Sequence, residues 1–173
     1  MSTAQQTMLV ILRTLIGWHF LYEGYFKLLR PAWGQDGVPL SAWSSSGYLR
    51  GASGPLANIF SAVGTSPWVG TVDQIVAVAL VAIGIALMLG VFTQLACIGA
   101  LGLLTLFYLS AIPTTGLPEP RMEGTYLLVN KNLIELAAVA VVFVFKTGRV
   151  AGLDRWFASA RPRSRSAFEE AAV

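Results

Sequence analysis

The stretch that most limits what this chain can fold into is "VDQIVAVALVAIGIALML", Val72 to Leu89, which carries a single charged residue, Asp73. A run this apolar belongs in the middle of a large core or in a bilayer, and a 173-residue chain has little room for the first. Three more segments read the same way: Met8 to Leu29, about Leu95 to Ile112, and about Tyr126 to Phe145. Each approaches the ~20 residues needed to cross a hydrocarbon core of about 30 Å at about 1.5 Å per residue. No water in that core can satisfy a backbone amide, so the segments are expected to be helices. The β-branched run "VAVVFVF" does not alter this, because lipid disfavours the open edges of a sheet.

The expected architecture is all-α: a polytopic membrane protein, an antiparallel bundle of four transmembrane helices over residues 1–149. A long extracytoplasmic loop separates helices 1 and 2, and a basic, partly disordered cytoplasmic tail covers 150–173. Composition agrees with a lipid environment. Hydrophobic residues make up 55% and charged residues only 12% of the chain, against about 25% charged in ordinary soluble domains. The net charge of +3 does not suggest nucleic acid, because six of the twelve basic residues lie between Lys146 and Arg165. Such a cluster beside a spanning helix is cytoplasmic by the positive-inside rule, which puts both termini in the cytoplasm after four crossings. The opening "MSTAQQTM" lacks a basic region and a small-residue cleavage site, so no cleaved signal peptide is expected. Trp33, Trp43 and Trp68 suit an interfacial belt, and "SGPLANIFSAVG" suits a short surface helix capped by Ser53 with Pro55 in its first turn. The lone Cys97 reads as a buried small hydrophobe, and Gly84, Gly90, Gly99 and Gly102 as close-packing points between helices.

The first segment, "LRTLIGWHFLYEGYFKLLRPAW", is interrupted by Arg13, His19, Glu23 and Lys27. At about 100° per residue these four fall in one arc of roughly 120°, so they form a stripe that faces the bundle interior rather than lipid. The fourth segment repeats the pattern with Asn130, Lys131, Asn132 and Glu135. In antiparallel helices Glu23 and Lys131 lie at matched depths of roughly 8–9 Å, and His19 and Glu135 at roughly 15 Å. The expected pairs are Glu23 with Lys131, and Glu135 with His19 or Arg13. Such pairs can simply fix the register of a bundle. Two carboxylates, two lysines, an arginine and a histidine exceed that need, and they supply donors for an anion or a quinone oxygen and carriers for protons. Glu23, Lys27, Lys131 and Glu135 are the candidate catalytic residues; Arg13, His19, Asn132, Arg30 and Arg50 are the candidate substrate- or quinone-binding residues. Haem is disfavoured, since a single histidine excludes bis-His ligation within one copy. No metal is expected, because the set lacks a characteristic ligand spacing. No phosphate loop, nucleophile elbow or dinucleotide fingerprint is present.

The opening "LRTLIGWHFLYEGYFKLLRPAW", the loop segment "GYLRGASGPLANIF", the run "GVFTQLACIGALGLLTLFYL" and "VNKNLIEL" resemble, in that order, the motifs of the DoxX/DoxD family of four-helix bacterial membrane proteins. The resemblance covers nearly all of the chain except its tail. It implies a bundle in the bacterial inner membrane, related to the small subunit of a thiosulfate:quinone oxidoreductase or to quinol-linked redox complexes. Its polar set falls here on Arg13, Glu23, Lys27, Lys131, Asn132 and Glu135. Gln94 stands where the family often has a basic residue, which counts against thiosulfate as the substrate. The leading expectation is a quinone-linked redox subunit, with an anion approaching near Lys27, Arg30 and Arg50. The alternative is a non-catalytic subunit or scaffold of a larger complex. The expected partners are the lipid bilayer, a membrane quinone, and another membrane or periplasmic subunit or further copies of the chain.

Overall fold

The structure, a computed structural model, describes residues 1–29, 44–112 and 125–159. It is all-α apart from a two-stranded hairpin. Helix α1 (Thr3–Leu29) is followed by the short α2 (Ser46–Arg50) and α3 (Ala57–Thr65), then by α4 (Val69–Leu89) and α5 (Thr93–Ser110). Strands β1 (Thr125–Tyr126) and β2 (Val129–Asn130) pair antiparallel and lead into α6 (Lys131–Val144), α7 (Thr147–Val150) and α8 (Asp154–Ser159).

Among the described residues, α4 and α5 are each long and apolar enough to cross a membrane. Helix α1 is longer but carries the charged stripe, and α6 has 14 residues, or about 21 Å. The fourth helix therefore starts at Lys131, not near Tyr126 as its apolar pattern suggests. The reason is local: Leu127 takes a left-handed turn at φ 47°, and Asn130 then caps α6 by accepting the Leu133 N–H. The chain before Lys131 is a hairpin because Thr125 and Tyr126 pair with Asn130 and Val129.

Helices α1, α4, α5 and α6 alternate in direction around one apolar core. Ile16 and Phe20 from α1, Leu80, Ile83 and Leu87 from α4, Ala96, Cys97, Ala100 and Leu104 from α5, and Val139 and Val142 from α6 meet there. Cys97 is fully buried in it, as its surroundings in the sequence suggest. The tightest seam is between α1 and α4. A side chain at Gly84 would strike the Leu21 backbone, and one at Gly17 or Gly24 would strike Met88 or Val81. Gly17 and Gly24, seven residues apart, thus present a flat surface to α4. Of the glycines expected to pack, Gly84 does so, Gly99 does so against the Ile83 side chain, and Gly102 faces open space. Gly90 also packs closely, against Gly152 and Arg13, and closes α4 in a left-handed conformation at φ 66°.

The two ends of the bundle are built differently. At one end α2 and α3 form a roof tied to both neighbouring helices. The buried Asp73 on α4 accepts from the N–H and hydroxyl of Ser45, while Tyr48 on α2 bonds Ser110 on α5 and donates to the Phe107 carbonyl at 3.1 Å. Ser46 fastens α2 to α3 through the Gly64 carbonyl, at 2.7 Å. The expected helix in "SGPLANIFSAVG" is present, but its N-cap is Leu56 and makes no side-chain cap, so Ser53 does not play that part. Trp33 and Trp43 lie outside the described residues; Trp68 is exposed at the head of α4.

At the other end, α7 and α8 fold back as a clasp. Arg13, 3% exposed, donates to the Thr147 carbonyl at 2.9 Å and to the Ala151 carbonyl at 2.6 Å. Asp154 accepts from the Phe92 and Thr93 N–H groups at 2.7 and 2.9 Å, capping α5 from a distance. Phe92 sits at φ 48°, a conformation that costs about 1 kcal/mol or more for a non-glycine residue, and this cap helps hold it. The first part of the tail is thus helical through residue 159, and the segment 160–173, where the expected disorder falls, lies outside the described residues.

Candidate functional site

The polar residues of α1 and α6 meet beneath the roof. Helical spacing puts His19, Glu23 and Lys27 on successive turns of α1, and α6 brings Lys131, Asn132 and Glu135 to the same place. His19 Nδ1 and Glu135 Oε1 lie 2.7 Å apart, which is one of the two partners expected for Glu135. Glu23, by contrast, pairs with Lys27 one turn along its own helix rather than with Lys131. An i, i+4 pair on one helix needs no adjustment between elements, and so it wins over the cross-helix contact. Lys131 faces the same cavity from the first turn of α6.

These groups surround a pocket of about 70 Å³, whose polar wall is His19, Glu23, Lys131, Asn132 and Glu135. Its apolar wall is Phe20, Leu80, Leu104 and Phe107. The pocket adjoins a larger chamber of about 410 Å³, with which it shares Glu23, Leu80, Phe107, Lys131 and Asn132. Lys27 lies at the chamber's polar end, and the remaining lining is mainly aliphatic and aromatic, from the roof, α4 and α5. The side chains of His19 and Glu23 are each 50% exposed, while Glu135 and Lys27 are 13% and 16% exposed. The seam between α1 and α6 is therefore open on one side.

Lys131 occupies the first turn of α6, where the helix dipole already presents positive charge. With the lysine, the terminus becomes a strong attractor for a carbonyl oxygen or an anion. The site thus combines cationic donors, two carboxylates, an imidazole and a large apolar space, which can bind the head of an amphipathic molecule and exchange protons with it.

Eight of the nine residues singled out from sequence lie among the described residues. His19, Glu23, Lys27, Lys131, Asn132 and Glu135 come together. Arg13 does not: it is ten positions from Glu23 along α1, about 15 Å, and serves the clasp. Arg50 is exposed at the end of α2 and does not line the pockets, and Arg30 lies outside the described residues. Sequence reasoning missed Asp73, Ser45, Tyr48, Ser110 and Phe107, which build and fasten the chamber. Asp73 had a signal, an acid inside an otherwise apolar run; the others had none. No group of three or more potential metal ligands occurs among the described residues. No known family model matches the sequence, and neither a curated protein nor a solved structure matches it.

Proposed function

We propose that the chain is an integral membrane protein, with α1, α4, α5 and α6 all crossing the bilayer, and that it binds a quinone as part of a redox assembly. The membrane reading is supported by an apolar outer surface on all four helices. Leu15, Trp18 and Tyr22 on α1, Ile75, Val78 and Ile85 on α4, Leu95 and Ile98 on α5, and Ile134 and Val144 on α6 are all exposed. Charge is instead drawn inward, with Arg13 and Asp73 buried, the inverse of a water-soluble surface. Helix α6 is short for a core of about 30 Å, a mismatch that local thinning or tilt accommodates. The basic residues after Lys146 favour a cytoplasmic clasp and an extracytoplasmic roof. The order of motifs that resembles the DoxX/DoxD family favours the bacterial inner membrane and a quinone-linked role.

One observation carries the quinone reading: an acid–base pocket that shares a wall with a 410 Å³, mainly apolar chamber. Lys131, with Asn132 beside it, donates to a quinone oxygen. Glu23 and the His19–Glu135 pair supply and accept the protons that accompany quinone reduction or quinol oxidation. Electrons come from a partner subunit that carries a redox centre. Purified protein in nanodiscs should therefore bind a quinone saturably. Glu23→Gln and Lys131→Met should each weaken that binding by about tenfold, the loss of about 1.4 kcal/mol expected for one hydrogen bond to a charged group. Unchanged binding in both folded variants contradicts the proposal.

The scaffold reading is favoured by one feature of the same seam. Glu23 and Glu135 are already paired with Lys27 and His19, as they would be in a purely structural ladder. On that reading Glu23→Gln lowers the unfolding temperature and leaves no quinone binding to lose.

A further inference from the structure

We infer that the 410 Å³ chamber seats the apolar tail of the ligand, and that the tail reaches it sideways from lipid between α4 and α5. The inference rests on the quinone reading above and adds to it a route and a basis for selectivity. Polarity is divided along the chamber. Its charged lining, Glu23, Lys27 and Lys131, gathers where it joins the small pocket; Val63, Val72, Val76 and Leu103 give aliphatic walls elsewhere, and Ser45, Tyr48 and Ser110 are engaged in the roof's hydrogen bonds. Its volume falls in the range of about 300–1,000 Å³ that encloses a whole small molecule, which is more than a bare ring fills.

The shape of the bundle supplies the opening. Next to their connecting turn, α4 and α5 are in close contact, with Gly99 against Ile83 and Ala96, Cys97 and Ala100 buried. Toward the roof they stand on opposite walls of the chamber, Val72 and Val76 on one side and Leu103 and Phe107 on the other. The chamber reaches the outer surface at Leu106 on α5 and Ile59 on α3, which are 47% and 60% exposed. The roof over the chamber is fastened to α4 through Ser45 and Asp73 and to α5 through Tyr48 and Ser110. A tail in lipid reaches the chamber past Leu106 without having to cross the roof.

A tail already dissolved in lipid gains little by moving to another apolar place. The chamber therefore acts by shape: it selects among tails and directs the head toward Lys131. Filling it should exclude tailed ligands and spare tail-free ones. Val63→Phe and Val72→Phe narrow the chamber away from the polar residues. The probes are a dimethoxy-methyl-benzoquinone without a tail and the same ring with a decyl tail, titrated against wild type and both variants in nanodiscs. Comparing each variant with wild type cancels the partition of either probe into lipid. The expected result is at least a tenfold loss of decylquinone binding in the variants, with binding of the tail-free ring unchanged. Equal weakening of both probes places the head in the chamber and overturns the inference. Undiminished decylquinone binding means that the tail lies elsewhere, with a bilayer acyl chain free to fill the chamber, and overturns it equally. Failure of both probes to bind wild type overturns the quinone reading itself and this inference with it.

Discussion

Single side chains at different levels of α1 have separable tasks. Arg13 closes the clasp on Thr147 and Ala151, and Asp154 completes it by capping α5. Asp154→Ala removes the acceptor for two backbone N–H groups and should cost about 1–2 kcal/mol, read as a lower unfolding temperature in detergent. Arg13→Met should destabilise by a similar amount, taking the donor from the Ala151 carbonyl and leaving the Thr147 carbonyl with the Ala151 N–H alone. The double variant should lose less than the sum, because both residues hold the same segment. Quinone binding, about 15 Å away, should survive in each folded variant. Loss of binding in Arg13→Met at unchanged stability would return this arginine to the site. The stripe seen in the sequence thus has two functions. Four residues in one arc of α1 look alike on a helical wheel, but only the position of α7 decides that Arg13 meets backbone carbonyls while His19 meets Glu135.

At the level of elements, the long apolar helices and the meeting of α1 with α6 were legible, since periodicity and matched depth act over many residues. The start of α6 was not, because an apolar stretch continues through "YLLV" and only the left-handed turn at Leu127 and the Asn130 cap break it. The roof was half legible: its helix α3 was visible in sequence, but its ties to Asp73 and Ser110 join residues far apart in the chain. The α1–α4 seam gives a clear test. Gly84→Leu should separate the two helices or unfold the bundle, with a cost of about 1–3 kcal/mol or more for overpacking. Gly102→Ala, with nothing within 4 Å of the added carbon, should be neutral or stabilising by up to about 1 kcal/mol through helix propensity. Equal effects of the two substitutions in thermal unfolding would contradict the packing described for Gly84.

For the whole molecule, the alternation of four helices puts the first residues of α1 and the clasp at one end and the roof at the other. In the proposed topology these ends lie on opposite sides of the membrane. A Cys97→Ala background carrying Ser2→Cys should react with a membrane-impermeant thiol reagent only after the cells are opened. Thr65→Cys, exposed at the end of α3, should react in intact spheroplasts. Labelling of both from the same side contradicts four crossings. The central claim, that the α1–α6 pocket and its chamber hold a quinone, is tested most directly by photolabelling with an azidoquinone followed by peptide mapping. The account predicts adducts on peptides containing Glu23, Phe107 or Lys131, displaced by excess unmodified quinone. Adducts spread over outward-facing residues such as Leu15, Ile75 and Leu95, and not displaced, would contradict it.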